Sequence, residues 1–251
     1  MDTKKIANFF WHGSLTKLEK SCINSFVVQG FDVTLWSYQN HTLPNVTTKD
    51  ANLILPETDI KKYTYSNELK ILQKSSGISA FANIFRYKLL SEHDGWWFDT
   101  DCFCLKNVED FIKLSKNFIV GIEENDIPNN AIIYSEKSIA SNLLNFALNK
   151  IKDTNYISYT WGLTGPQCIK DFTKENRIEP LSQQYFYPIR PKDCKIIINS
   201  KHFNQAKEII KDSYVLHVWD VFLVKKGVDK NNPPSGSLLE DLIKKYNNEN
   251  L

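Results

Sequence analysis

Asp99 and Asp101 stand two residues apart at the end of the run Gly95-Trp96-Trp97-Phe98. If this stretch is a strand, residues two apart share a face, about 6.6 Å from one another along the chain. Two acids held beside aromatic rings repel each other and lose hydration unless a cation stands between them. A hard divalent ion, Mn²⁺ or Mg²⁺, takes oxygen ligands at about 2.1 Å and can share them with the oxygens of a phosphorylated substrate. The chemistry on offer is stabilisation of charge on a departing phosphate. A bare Asp-x-Asp also arises where a strand runs into an acidic turn, so its surroundings must decide. His217, two residues before Trp219, is a second candidate, since imidazole is a common partner of Mn²⁺-type ions, although a lone histidine in an apolar strand is commonly a core or surface residue. Asn83 and Arg86 are three apart in a helical pattern and share a face. The rigid guanidinium fork of Arg86 suits a phosphate or sugar hydroxyls, and equally a structural salt bridge.

The elements that must carry these groups read as alternating strands and helices. Ile6 to Trp11 is a short apolar strand. A helix follows, capped by Ser14 or Thr16, with Leu18, Cys22, Ile23, Phe26 and Val27 on one face and Gly30 closing it. Phe31 to Trp36 reads as the next strand, which makes the strand–helix–strand unit of a nucleotide-binding half. Trp11, His12 and Gly13 then fall at the carboxyl end of the first strand, where open α/β sheets bind nucleotides. A short helix is expected around Glu68 to Lys74 and a longer one from Ile78 to His93, turning at Asp94-Gly95 into the acid-bearing strand. Beyond it the pattern predicts a short helix near Asp110, strands at Phe118 to Ile122 and Ile132 to Tyr134, and a helix from Lys137 to Ile151. A helix starting after Pro166, strands at Ile196 to Ile198 and Tyr214 to Val218, and a helix from Leu238 to Tyr246 complete the series. Lys225, Lys226 and Lys230 read as a basic loop, solvated or closing on phosphates. Glu123, Glu124, Asn129 and Asn130 form a polar cluster that also reads as a solvated turn.

The composition narrows the class. The chain has 251 residues, 42% of them hydrophobic and 13% aromatic, enough for a substantial single core. A net charge of +2 with dispersed basic residues argues against a nucleic-acid partner. No apolar run approaches the roughly 20 residues that span a bilayer, and no signal-peptide pattern opens the chain. Five cysteines without metal-site spacing argue for free thiols, with Cys102 and Cys104 as small apolar strand residues. The expectation is a soluble cytoplasmic protein, with peripheral association at the inner face of a membrane left open.

Several segments together resemble the family 32 retaining glycosyltransferases, whose pattern is Ser-Asp-x-x-Arg-Tyr-x-x-Leu followed by Gly-Gly-x-Tyr-x-Asp-x-Asp. Here the counterparts are Asn83, Arg86-Tyr87 and Leu90, then Asp94-Gly95 and Asp99-Thr100-Asp101. Phe10-Trp11-His12-Gly13, Val33-Thr34-Leu35-Trp36, Leu163-Thr164-Gly165-Pro166 and Leu216-His217-Val218-Trp219 are similar too, in order along nearly the whole chain. The bacterial polysaccharide-type members look closest. The resemblance implies a GT-A-like α/β domain spanning 1–251, with a Rossmann-like nucleotide-sugar half over 1–105. An acceptor-side half with a closing C-terminal loop and helix would occupy 106–251. It implies Mn²⁺ (or Mg²⁺) held directly by Asp101, with Asp99 acting through water or the ribose and His217 on the metal or diphosphate. Arg86 and Asn83 would grip the donor sugar and phosphate, and Trp219 would wall off the pocket. Asp99, Asp101 and Arg86 are the implied catalytic residues. Glu124, Asn130 and Gly165 are acceptor-side candidates.

The implied reaction moves a hexose from a nucleoside diphosphate, UDP by family frequency, to a glycan or lipid-linked acceptor with front-face retention, as in surface polysaccharide synthesis. Three departures stand out: Asn83 replaces the family's acid, Asp94 its first Gly, and Asp220 a frequent Asn. Two other readings compete. A non-catalytic sugar-nucleotide or carbohydrate-binding module would keep the fold without turnover. A haloacid dehalogenase-like phosphatase would use the first Asp as nucleophile, but it expects the motif near the N-terminus and Thr or Val where Phe103 stands.

Overall fold

The computed structural model describes residues 3–63, 78–152 and 162–247. The chain begins with β1 (Ile6–Trp11), α1 (Lys17–Val28), β2 (Asp32–Ser37) and β3 (Val46–Asp50). The middle stretch holds α2 (Ile78–Glu92), β4 (Trp96–Phe98), β5 (Cys102–Cys104), α3 (Val108–Ile112), β6 (Phe118–Glu124), β7 (Ile127–Ser135) and α4 (Lys137–Lys152). The last stretch holds α5 (Pro166–Glu175), α6 (Gln183–Phe186), α7 (Lys195–Ile198), α8 (Phe203–Ile210), β8 (Val215–His217), α9 (Asp220–Lys225) and α10 (Leu238–Tyr246).

Six strands form one mixed sheet in the order β3-β2-β1-β4-β7-β6, flanked by helices. β1 to β4 run parallel, whereas β7 is antiparallel to both β4 and β6. A mixed sheet flanked by helices is the α/β architecture that the resemblance leads one to expect. The parallel strands end together at Trp11, Ser37, Asp50 and Phe98, on the edge where such sheets leave a crevice for ligands. Beside that edge β5 and β8 form a separate antiparallel pair, with Cys102 opposite His217.

Side-chain alternation divides the core between the two faces of the large sheet. Phe9, Trp96 and Phe98 point to the face covered by Leu18, Cys22 and Phe26 of α1 and by Leu239 and Ile243 of α10. Phe10 and Trp97 point to the other, against Phe81 and Phe85 of α2 and Leu143 of α4. Thr16 opens α1, its backbone N–H donating to Glu19 Oε2 at 2.7 Å, and Gly30 at φ +90° ends it. Gly95, the turn into β4, is at φ +112°, and a Cβ there would stand 2.6 Å from the Ile6 carbonyl oxygen.

Three expectations need correction, and one strand is added. Ile196 to Ile198 is not a strand but part of α7, because it packs as a helical turn against α10 and α8 rather than on a sheet edge. The strand carrying the acid pair ends at Phe98, one residue before Asp99, so the period-two argument does not place the two carboxylates. Lys225 lies on α9 rather than in a loop. The edge strand β3, too polar to show an alternating pattern, went unpredicted. The helix expected around Glu68 to Lys74 lies outside the described residues. Among the described residues no helix is long and apolar enough to cross a membrane.

Candidate active site

Asp99 and Asp101 occupy a tight turn that carries the chain from the large sheet to the small one. The Asp99 backbone N–H donates to Ala131 O of β7 (2.8 Å), and Cys102 N–H closes the turn on Asp99 O (3.2 Å). The two side chains therefore diverge to different partners. Asp99 Oδ1 accepts from Trp97 Nε1 (2.7 Å) and faces Arg86 Nη2 (3.2 Å). Arg86 is buried, stacks its guanidinium 4.9 Å from the Trp97 ring centroid, and also donates to the carbonyls of Ala82 and Asn130. Burial and the neighbouring Asp101 push the Asp99 carboxyl up, more than Arg86 pulls it down.

Asp101 faces the second sheet. Its Oδ1 lies 3.2 Å from His217 Nε2, its Oδ2 accepts from the Asp220 backbone N–H (2.9 Å), and its carbonyl accepts from Val218 N–H (3.0 Å). The β5–β8 register brings these together across 116 positions of sequence, since Cys102 pairs with His217. Burial alone would raise the Asp101 carboxyl, but the His217 charge and these hydrogen bonds hold it below the usual range. Burial likewise works against a charged His217, and the Asp101 partnership overrides it, raising the imidazole. Trp219, in the left-handed region at φ +61°, turns its ring back to lie 4.0 Å from the His217 ring and anchors its indole N–H on Ile189 O (2.7 Å).

This donor set fits a divalent ion. The donor atoms of Asp101, Cys102 and His217 lie within 4.8 Å of one another. Adjacent ligands of an octahedral ion with bonds of about 2.1 Å are about 3.0 Å apart, close to the Asp101–His217 separation. Cys102 is fully buried and its thiol is pushed well up, by burial first and the two acids next, and its soft sulfur suits a hard, oxygen-seeking ion poorly. His217 Nδ1 is buried without a hydrogen-bond partner among the described residues, so this imidazole nitrogen is not committed to another protein group. Asp99 stands outside this cluster, held on the Arg86 side.

Trp11 ends β1, and His12 and Gly13 follow it at the carboxyl edge of the parallel strands. Trp11 Nε1 donates to Ser14 O (3.2 Å), His12 Nε2 faces Glu57 Oε1 (2.9 Å), and Gly13 N–H donates to Gln39 Oε1 (2.8 Å). Gly13 is at φ +101° with open space where a side chain would be, so its backbone, and not crowding, calls for glycine. Asn83 and Arg86 do share a face, and both reach Asn130: Arg86 through its carbonyl, Asn83 by accepting from Asn130 Nδ2 (2.7 Å). Asn83 Nδ2 in turn donates to Thr164 Oγ1 (3.3 Å), and Tyr87 O–H donates to Thr164 O (2.8 Å). A Cβ on Gly165 would stand 3.0 Å from Asn83 Nδ2, so this turn closes directly on the network.

Glu124 is not part of that network. It forms ion pairs with Lys192 and Arg190 (3.6 Å to the latter), whereas its neighbour Glu123 accepts from Asn129 Nδ2 (2.5 Å). One site residue and one pairing escape a reading of the sequence. Tyr187, wholly buried, has its ring 5.8 Å from those of His217 and Trp219, yet stands apart from any motif. Lys230 is held by Glu19 and Asp220, a pairing that its long sequence separation from Glu19 hides.

Residues 137–249 match the family described as the alpha 1,4-glycosyltransferase conserved region, a segment that includes Gly165, His217 and Trp219. The match supports a glycosyltransferase. No curated protein sequence is significantly similar to the chain. Solved structures similar to it include the PaToxG glycosyltransferase, at 14% identity and TM-score 0.46 over 96% of this chain and 83% of that one. The apo glycosyltransferase GlyE of Streptococcus pneumoniae TIGR4 has 12% identity and TM-score 0.49, over 97% of this chain and 63% of that one. The bifunctional WbbM glycosyltransferase has 12% identity and TM-score 0.49, over 95% of this chain and 51% of that one. The chain thus spans under two thirds of the length of GlyE and about half that of WbbM.

Proposed function

We propose that this chain is a metal-dependent, retaining glycosyltransferase that moves a hexose from a nucleoside diphosphate, UDP in preference to GDP, to a glycan or lipid-linked acceptor. Residues 1–251 act as one catalytic unit, the part up to 105 taking the nucleotide sugar and the rest presenting the acceptor. The unpaired, buried cysteines fit a cytoplasmic setting. The observation that carries the reading is the convergence of Asp101 and His217, 3.2 Å apart, at the carboxyl edge of the parallel strands.

A bound divalent ion supplies charge neutralisation to the diphosphate as it leaves. Asp101 and His217 would hold that ion. Asp99 is oriented through Oδ1 by Trp97 and Arg86 and presents its carboxylate to the ribose or a bound water. Trp11, His12 and Gly13 line the side where the nucleotide would enter. The Trp219 ring, pinned by Ile189 and packed on His217, excludes water that would otherwise hydrolyse the donor. The Asn83–Asn130–Thr164 network shapes the side facing the sugar and the acceptor. No side chain is assigned as a covalent nucleophile; the departing phosphate oxygen takes the acceptor's proton on the same face.

Asp101→Ala tests the reading directly. Loss of a charge-stabilising ligand costs at least about 4 kcal/mol in the transition state, a drop of about 10³-fold or more in transfer from UDP-sugars with Mn²⁺. The variant should also lose Mn²⁺ binding with its fold intact by circular dichroism. A folded variant that retains full transfer sinks the metal role. Wild-type protein that binds nucleotide sugars but releases no product supports a binding module instead.

A further inference from the structure

Lys230 stands between two carboxylates behind this site, where the sequence suggests only a solvated or phosphate-facing loop. Here its side chain is largely buried and held by two carboxylates rather than solvated. Its Nζ donates to Glu19 Oε1, whose side chain is 1% exposed, and to Asp220 Oδ2 at 3.1 Å. Glu19 is itself locked at the start of α1 by the Thr16 backbone and hydroxyl. Asp220 donates its backbone N–H to Asp101 Oδ2, and Lys230 is the only partner of its carboxylate among the described residues, Oδ1 being buried with none. Asn231 fastens the same loop to α1 by accepting from Lys17 N–H (3.0 Å). A continuous line of contacts therefore runs from the first helix through Lys230 and Asp220 to the carboxylate beside His217.

We propose that Lys230, seated between Glu19 and Asp220, is a positioning residue that sets Asp101 for the divalent ion. The inference rests on the metal reading above. Without the ammonium, two inward carboxylates lose their shared partner, and the Asp220 side chain no longer ties the start of α9, whose N–H meets Asp101, to α1. Groups that orient metal ligands from behind typically change metal affinity 10- to 100-fold when removed.

The sign of the effect separates positioning from bulk electrostatics. Removing a nearby positive charge by itself should tighten binding of a cation. Removing a positioning group should weaken it. Mn²⁺ affinity is to be measured by electron paramagnetic resonance titration on wild-type, Lys230→Met, Lys230→Arg and Asp101→Ala, with Lys150→Met, which breaks the remote Lys150–Asp171 pair, as a destabilised control. We expect Lys230→Met to weaken Mn²⁺ binding 10- to 100-fold, Lys230→Arg to recover most of it, and Lys150→Met to leave it unchanged. Unchanged or tighter binding in Lys230→Met overturns the inference, as does a rise in donor KM with Mn²⁺ affinity intact, which marks a direct phosphate contact. If Lys230→Met does not fold, Glu19→Gln replaces it: Lys230 then loses its charged anchor, and unchanged Mn²⁺ affinity overturns the inference equally. Should Asp101→Ala itself bind Mn²⁺ normally, the metal reading fails rather than the role of Lys230 alone.

Discussion

At the scale of single residues, the informative position is Asn83. The family pattern places an acid there, and an acid would carry its charge into a pocket already holding Arg86 and the acid pair. The amide instead spends both of its functions internally, accepting from Asn130 and donating to Thr164. Asn83→Asp removes the donor, which the Thr164 hydroxyl can offset by turning to donate. The expected cost is about 1–2 kcal/mol of stability, together with an altered ranking of donor sugars in a transfer assay. An unchanged ranking would remove Asn83 from the sugar side of the site. Asp101 shows the limit of reading residues from their spacing. Its type and its neighbours suggest an ion, but the two acids do not share a strand face. They are parted by a turn, each with its own basic partner.

At the scale of elements, periodicity and capping residues locate most of the chain. β1 and α10 appear at the expected bounds, and α1, α2 and α4 within two residues of them. These are long or strongly apolar segments whose burial agrees with their local pattern. The misses are short or polar. Lys195-Ile196-Ile197-Ile198 is β-branched enough to suggest a strand, yet it buries Ile197 as a single helical turn, so packing overrides propensity. β3 has exposed Thr47, Lys49 and Asp50 and is held by its pairing with β2. The β5–β8 pair, on which the candidate metal site depends, consists of two three-residue strands whose partnership no local signal announces. Gly95 was legible as a turn, but its need was not. It combines φ +112° with direct contact against β1, so Gly95→Ala should cost about 2–4 kcal/mol and lower Tm by roughly 5–15 °C in a thermal melt. A melt within a degree of wild type would show that the β1–β4 seam can relax around a methyl group.

At the scale of the whole molecule, the site makes stability depend on pH. His217 is raised by Asp101, and Asp99 and Asp220 are raised chiefly by burial, so all three bind protons more tightly folded than unfolded. Their contribution is complete below the unfolded values and is lost as pH rises through the folded ones; for His217 that loss begins above the ordinary value of 6.5. Asp101 has the opposite sense, its depressed carboxyl contributing above the ordinary value of 3.8 and losing that contribution only in stronger acid. Metal-free protein should therefore melt higher at pH 6 than at pH 8. An ion that replaces the His217 proton should stabilise it more at pH 8 than at pH 6. Calorimetric melts with chelator and with Mn²⁺ at the two pH values check both statements, and an equal gain at each would detach His217 from the ion. The five cysteines bear on how such experiments can be built. All are unpaired and buried, and the Cys168 thiol, for one, is pushed up to about 12. Maleimide reagents should find almost no native target, so a cysteine engineered at exposed Val221 or Val224 on α9 could carry a single dye beside the site with no background to remove.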